Sequence, residues 1–278
     1  MLSTLDHRRD AAGLTYVYPV VSRRAGGVSV GINLNPNNAC NWACVYCQVD
    51  GLARGGPPPI DLGQLERELE GLLADIQEGD FLLRNAPPEA RQLVDVAFSG
   101  NGEPTSAAEF AEAVACVCEL LESRGLRGRI PLRLITNGSL LHRNPVQDAI
   151  RRLGEFGGEV WYKLDRALPE ECERVNGSAL SPERAAANLA VCAGLAPTWV
   201  QTCWFAIDGE APSAASRGAY CDVLRSLAGH LAGVHLYGIA RPSMQPEAQR
   251  LGRLPAEVLT DFAGEITKET GLRVMVSP

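Results

Sequence analysis

The sequence predicts an α/β protein, a partial (β/α)6 TIM-like barrel with parallel strands inside and helices outside. Three observations predict it. Short runs rich in β-branched and aromatic residues alternate about six times with longer helical stretches. A long loop separates the first such run from the first helix, at the place where barrel folds build their sites. The 278 residues, 46% of them hydrophobic, are enough for one barrel with a substantial core.

Taken in order, the expected strands are Val28–Leu34, Leu93–Phe98, Leu132–Thr136, Glu159–Leu164, Trp199–Ile207 and Val234–Ala240. The helices between and after them are Leu62–Gln77, Ala107–Arg124, Pro145–Phe156, Pro182–Gly194, Ala214–Leu231 and Pro255–Thr270. Ser181 before Pro182, and Pro255 at its own helix start, are N-terminal signals: a capping hydroxyl, and a ring whose fixed φ suits the first helical turn. Leu272–Val276 offers one more strand. No repeat and no linker divides the chain. Residues 1–278 are expected to form a single domain, with 1–26 an N-terminal extension, 27–270 the barrel core and 271–278 the extra strand.

The charge balance, 26 basic against 33 acidic residues, gives a net −7, which argues against an extensive nucleic-acid-coating surface. No apolar stretch approaches the roughly 20 residues that cross a bilayer, and the amino terminus lacks a signal-peptide pattern. Nine cysteines, an odd number, without an export signal imply the cytoplasm, and there clustered thiols mean metal or catalysis before disulfides.

The long loop, Asn35–Ile60, carries Cys40-Asn-Trp-Ala-Cys44-Val-Tyr-Cys47. Three thiolates this close can grip one four-iron cube and leave its fourth iron open to a ligand from outside the protein. The alternative from spacing alone is zinc, with a fourth ligand from a remote Cys or His. Cys116, Cys118, Cys172, Cys192, Cys203 and Cys221 form no second triad and read as buried small hydrophobes.

Cys-x3-Cys-x2-Cys after a first strand, with an aromatic residue (Tyr46) just before the third cysteine, resembles the radical S-adenosylmethionine (radical SAM) superfamily. Phe98-Ser-Gly-Asn-Gly-Glu-Pro104 resembles its Gly-Gly-Glu motif, with Asn101 in place of the first glycine. Ile135-Thr-Asn-Gly138 is similar to its Thr-Asn-Gly turn. Tyr18–Arg24, Ser29–Asn33 and Gly238–Pro242 resemble a branch of small iron–sulfur oxidoreductases similar to the wyosine-type tRNA-modifying enzymes, whose second cluster has no counterpart here. The resemblance implies a 4Fe-4S cluster on Cys40, Cys44 and Cys47 that cleaves S-adenosylmethionine reductively. The resulting 5′-deoxyadenosyl radical abstracts hydrogen from a small-molecule or modified-nucleotide substrate. It also implies an electron donor such as flavodoxin or ferredoxin.

By the same resemblance, Gly102, Glu103, Thr136, Asn137 and Tyr46 are candidate cofactor-binding residues. Glu103 would accept from the amino group of S-adenosylmethionine, although Asn-Gly and Glu-Pro are also plain turn dipeptides. Thr136, Asn137 and Ser139 equally suit a capped turn. Lys163 and Asp165 are the candidate catalytic pair. Strand alternation puts them on one face with Trp161, and Lys163 and Lys268 are the chain's two lysines. An internal Lys163–Asp165 ion pair that merely fills the barrel is the structural alternative. Asn33, Asp95, Ser99, Gln201 or Thr202, His235, Tyr237 and Arg241 add polarity where a purely structural barrel would be packed with branched apolar side chains. His235 alone reads better as a satisfied core residue, and Arg23 and Arg24 as a solvated pair able to meet a phosphate. Two further functions compete: an activase that installs a glycyl radical on a partner protein, and a non-enzymatic zinc or iron–sulfur binding protein.

Overall fold

The computed structural model describes residues 2, 13–22 and 26–278; Arg23 and Arg24 lie outside the described residues. The chain runs β1 (Val17–Ser22), β2 (Gly27–Ile32), β3 (Ala39–Cys40), β4 (Ala53–Arg54), α1 (Leu62–Gln77), α2 (Phe81–Asn85), β5 (Leu93–Phe98), α3 (Phe110–Ser123) and β6 (Leu132–Thr136). It continues through α4 (Asn144–Phe156), β7 (Glu159–Lys163), α5 (Pro169–Asn176), α6 (Pro182–Leu195), β8 (Thr198–Cys203), β9 (Ala206–Ile207), α7 (Ala214–Leu227), β10 (Gly233–Tyr237), β11 (Leu251–Gly252), α8 (Ala256–Thr270) and β12 (Val274–Ser277). Eight strands take the order β1-β2-β5-β6-β7-β8-β10-β12 in a mostly parallel sheet, the expected α/β class with a partial TIM-like barrel topology.

The differences from the sequence reading have local causes. β1 pairs antiparallel with β2, Val17 opposite Ile32 and Ser22 opposite Gly27. It ends the strand order, a position that tolerates Pro19 because an edge strand can do without one ladder donor. The strand expected over Val28–Leu34 stops at Ile32, where Asn33 Oδ1 accepts from the Asn35 amide at 3.0 Å and turns the chain. The helix expected from Ala107 starts at Phe110, since Glu103 caps a short 3-10 turn over Pro104–Ser106 by accepting from the Thr105 amide. The stretch Trp199–Ile207 divides into β8 and β9. Helix α5 has the Pro-first, Gly-last signature, with Gly177 left-handed at φ 57°, but eight residues make only two turns of periodicity.

Two compact units are distinguished: residues 1–41, 55–136 and 143–159 in the first, and 42–54, 137–142 and 160–278 in the second. In the first, α3 packs against α1 and α4. Leu65, Leu69, Leu72 and Leu73 form the buried stripe of α1, and Phe110, Val114, Val117 and Leu121 that of α3. Near the starts of the strands, Arg133 reaches both Asp95 and Glu159, the latter at 2.7 Å, and Asp95 also takes the Ser29 hydroxyl. This network, and the Tyr18–Ser99 hydroxyl pair at 2.8 Å, accounts for much of the polarity expected on these strands.

In the second unit, Trp204 stacks on Phe262 at 4.4 Å between centroids, with Tyr220 alongside both rings. The buried guanidinium of Arg166 lies 4.3 Å from the Trp204 ring and donates to the Asp165 and Cys203 carbonyls. His235 sits between Trp161 and Trp199, 4.5 and 4.6 Å from their centroids, a core placement that agrees with the blander reading of it. Among the described residues no helix is long and apolar enough to cross a membrane.

Candidate active site

In the second unit the cysteine loop is fastened from two directions. The carbonyls of Val175 and Asn176, at the end of α5 and without helical partners of their own, accept from the amides of Val45 and Ala43 at 2.9 Å each. From the other side, the segment after β10 reaches in. Ser243 Oγ donates to the Val45 carbonyl at 2.6 Å, the Met244 amide to the Cys47 carbonyl at 2.9 Å, and Gln245 Nε2 to the Val49 carbonyl at 2.8 Å. Val45 anchors the loop in a buried cluster with Val175, Cys203 and Phe205. Cys44 and Cys47 are thus held by backbone bonds and packing, so their positions do not depend on a disulfide.

Behind Cys44 runs a chain of polar groups, Tyr46 and Lys163 half-buried and Asp165 and Asn176 buried. Lys163 Nζ donates to the Tyr46 hydroxyl at 2.8 Å, and that hydroxyl donates to Asp165 Oδ2 at 2.5 Å. Asn176 Nδ2 donates to the same carboxylate oxygen at 2.7 Å and to Cys44 Sγ at 3.3 Å, while the Cys203 amide reaches Asp165 Oδ1 at 2.8 Å. The ammonium also lies 4.8 Å from the Tyr46 ring centre. Sequence alternation paired Lys163 with Asp165; the structure interposes Tyr46 between them.

Burial pushes the Tyr46 phenol well above its ordinary value and Asp165 reinforces this, so Tyr46 keeps the proton it donates. Burial works against charge on Lys163, but Cys44 and Asp165 outweigh it and hold the pKa well above that of a free lysine. Burial likewise pushes the Cys44 thiol up to about 12, with Lys163 pulling the other way.

In the first unit, Cys40 ends β3. The Ala39 carbonyl beside it accepts from Asn35 Nδ2 at 2.9 Å, and the Gly55 amide bonds to the Cys40 carbonyl at 3.0 Å. Gly102 packs bare against Asn35 and Ala39, where any β-carbon would collide. Glu103 is buried: its Oε1 accepts from the Thr105 amide and hydroxyl and, at 2.6 Å, from the Thr136 hydroxyl. Asn101, the departure from the glycine pattern, donates its amide to Asn33 Oδ1 and its side chain to Asn38 Oδ1 at 2.6 Å, so the turn uses an asparagine to brace the preceding loop. Asn137, in the second unit, accepts from the Ser139 amide and hydroxyl at 3.0 and 2.7 Å, an Asx turn.

No family model matches the chain. Among curated proteins, 131 residues are 28% identical to the GTPase Obg of Brachyspira hyodysenteriae, covering 46% of this chain and 16% of that protein. Another 155-residue match, also 28% identical, is to the UPF0026 protein MJ1312 of Methanocaldococcus jannaschii, over 53% of this chain and 43% of that one. The chain therefore spans less than half the length of these relatives. Among solved structures it is similar to a radical SAM methyltransferase from Sphaerobacter thermophilus, with a TM-score of 0.62 and 17% identity over 94% of this chain and 68% of that one.

The chain has the radical SAM fold. Within that fold the second unit brings Tyr46, Lys163 and Asp165 together behind Cys44, and the first joins Gly102 to Ala39 and Glu103 to Thr136. Sequence reasoning missed Asn176, Ser243 and Gln245. Pro169 and Gly177 could have flagged the helix that carries Asn176. For Ser243 and Gln245 no local signal exists, because their partners lie nearly 200 residues away along the chain.

Among the described residues, no three His, Cys, Asp or Glu side chains are gathered as they would be around a single metal ion. The donor chemistry at Cys44 nevertheless fits a ligating thiolate. Its sulfur already receives an N–H bond from Asn176, and Lys163 favours negative charge there against the larger opposing effect of burial on the free thiol.

Proposed function

We propose that this chain is a radical SAM enzyme in which Cys40, Cys44 and Cys47 hold a 4Fe-4S cluster. The observation that carries the reading is the Cys-x3-Cys-x2-Cys loop following β2 in a chain with the radical SAM fold. When bound and reduced, such a cluster supplies the electron that cleaves S-adenosylmethionine to methionine and a 5′-deoxyadenosyl radical, which takes hydrogen from the substrate.

The chain's own residues bind and orient. Glu103, held in place through Oε1 by Thr105 and Thr136, is the carboxylate that would meet the cofactor's amino end. Thr136 then acts by holding Glu103, and Asn137 by shaping the turn after β6. Lys163 and Asp165, linked through Tyr46, set the charge behind the cysteine loop. An outside one-electron donor completes the reaction, and the substrate is a small molecule or modified nucleotide.

The GTPase name of the first relative is not carried over. A phosphate loop needs a lysine directly after a glycine, whereas Lys163 follows Tyr162 and Lys268 follows Thr267.

Anaerobic reconstitution with iron and sulfide tests the reading. The wild type and Cys118→Ala are expected to bind iron and sulfide equally and, with dithionite, to release 5′-deoxyadenosine from S-adenosylmethionine. Cys44→Ala is expected to do neither. Zinc alone in oxygen-free preparations, or a fully loaded protein that leaves S-adenosylmethionine intact, would overturn it.

A further inference from the structure

Asn176 is buried at the last position of α5, and its side-chain amide has two hydrogens to place. One goes to Asp165 Oδ2 at 2.7 Å. A buried carboxylate that also takes the Tyr46 hydroxyl and the Cys203 amide acts here as an acceptor, so the Asn176 atom facing it must be the nitrogen. That fixes the flip of the amide and aims its second N–H at Cys44 Sγ, 3.3 Å away. The same residue is pinned through its backbone, because its carbonyl accepts from the Ala43 amide one residue before that cysteine. Gly177, left-handed just beyond, would meet the Ala43 β-carbon at 3.0 Å if it carried one of its own, so helix end and loop are in close contact.

We infer that Asn176 is a positioning residue that donates an N–H···S hydrogen bond to the Cys44 ligand and thereby raises the reduction potential of the cluster, with Asp165 holding the amide in the donating orientation. The inference rests on the proposed role of Cys44 and goes beyond it. The physical reason is that reduction adds negative charge which spreads over the ligating sulfurs, and a hydrogen bond to one of them stabilises the reduced form more than the oxidised form. The bond is buried, so water does not replace the donor when it is removed.

The test is an EPR-monitored redox titration of reconstituted protein without substrate, which reads the cluster rather than turnover. Asn176→Ala is expected to bind the same iron and sulfide as wild type but to have a lower midpoint potential. The expected change is about tenfold in the reduced-to-oxidised ratio at a given potential, or ~59 mV for one electron. Asn176→Ser, too short to reach the sulfur, is expected to match it and serves if the alanine variant loads poorly. Unchanged potentials in fully loaded variants would overturn the inference. So would failure of both variants to load while Cys118→Ala loads normally, since Asn176 would then be a folding residue. If the wild type itself binds no cluster, the reading of Cys44 as a ligand fails, an outcome distinct from these two.

Discussion

A β-carbon on Gly102 would stand 2.1 Å from the carbonyl oxygen of Ala39, the residue before Cys40. The obstacle is backbone, flanked by the Asn35 side chain at 2.7 Å, so a larger residue cannot be absorbed by a rotamer change. Gly102→Ala is therefore expected to displace the Ala39–Cys40 segment, costing about 1–3 kcal/mol of stability and lowering iron binding on reconstitution. Gly194 and Gly218 are the matched controls, both inside helices and open around the position a β-carbon would take. Alanine at either should leave loading unchanged and stabilise by roughly 0.5–1 kcal/mol. Urea unfolding and iron assays separate these outcomes, and a Gly102→Ala protein that loads and unfolds like wild type would refute the argument.

Tyr46 stands between half-buried Lys163 and buried Asp165, and its hydroxyl is the direct link between them. Tyr46→Phe keeps the ring packing against Phe205 but leaves Lys163 without this acceptor and Asp165 without one of its donors. The expected loss is about 2–4 kcal/mol, the range for breaking charge-assisted bonds inside a protein. In a double-mutant cycle, Tyr46→Phe and Lys163→Met should be strongly non-additive, because each removes the same bond. Additive losses in urea unfolding would show that the hydroxyl does not couple to the ammonium.

The two networks show what a sequence can and cannot reveal. Strand alternation placed Lys163 and Asp165 on one face, and the cysteine spacing singled out the loop, because both patterns are local in the chain. Six strands and six helices were legible for the same reason, each carrying its own period and several helices a start signal such as Ser181 before Pro182. Asn176, Ser243 and Gln245 were not, since what they do depends on a carbonyl or sulfur brought near only by folding. The antiparallel β1 escaped because a run containing Pro19 reads as a poor strand until its edge position is known. Polarity on the barrel strands was visible but ambiguous: Asp95 joins Ser29 and Arg133 in a structural network, whereas Lys163 and Asp165 back onto the cysteine loop.

Arg133 bridges Asp95 and Glu159, with side-chain exposures of 16% for Arg133 and 5% for Asp95. Removing it leaves the buried Asp95 carboxylate with the Ser29 hydroxyl as its remaining side-chain partner in this network. Arg133→Met should destabilise by about 3–5 kcal/mol, more than an exposed pair such as Arg151–Asp148 could cost. Adding Asp95→Asn should recover part of the loss, since a neutral amide needs no counter-charge. If Arg133→Met and Arg151→Met have equal unfolding midpoints, the network contributes nothing special.

Stability should also fall on the alkaline side, and Cys192 supplies a measurable share of that fall. The thiol is fully buried on α6, and burial pushes its pKa from 9.0 up to about 12, with the Thr198 hydroxyl opposing weakly. Between those values the folded chain keeps a proton that the unfolded chain has lost. The contribution is therefore fully present below pH 9 and disappears as pH rises toward 12, at about 1.4 kcal/mol per pH unit for one such group. Cys192→Val removes the titrating atom while roughly conserving volume. Urea midpoints measured from pH 8 to 10.5 should decline less steeply in the variant than in wild type, the two curves diverging above pH 9. Burial raises Cys203 and Tyr220 in the same direction, so the slope is reduced rather than abolished. Parallel curves would mean that Cys192 ionises alike in the folded and unfolded chains and would refute the argument.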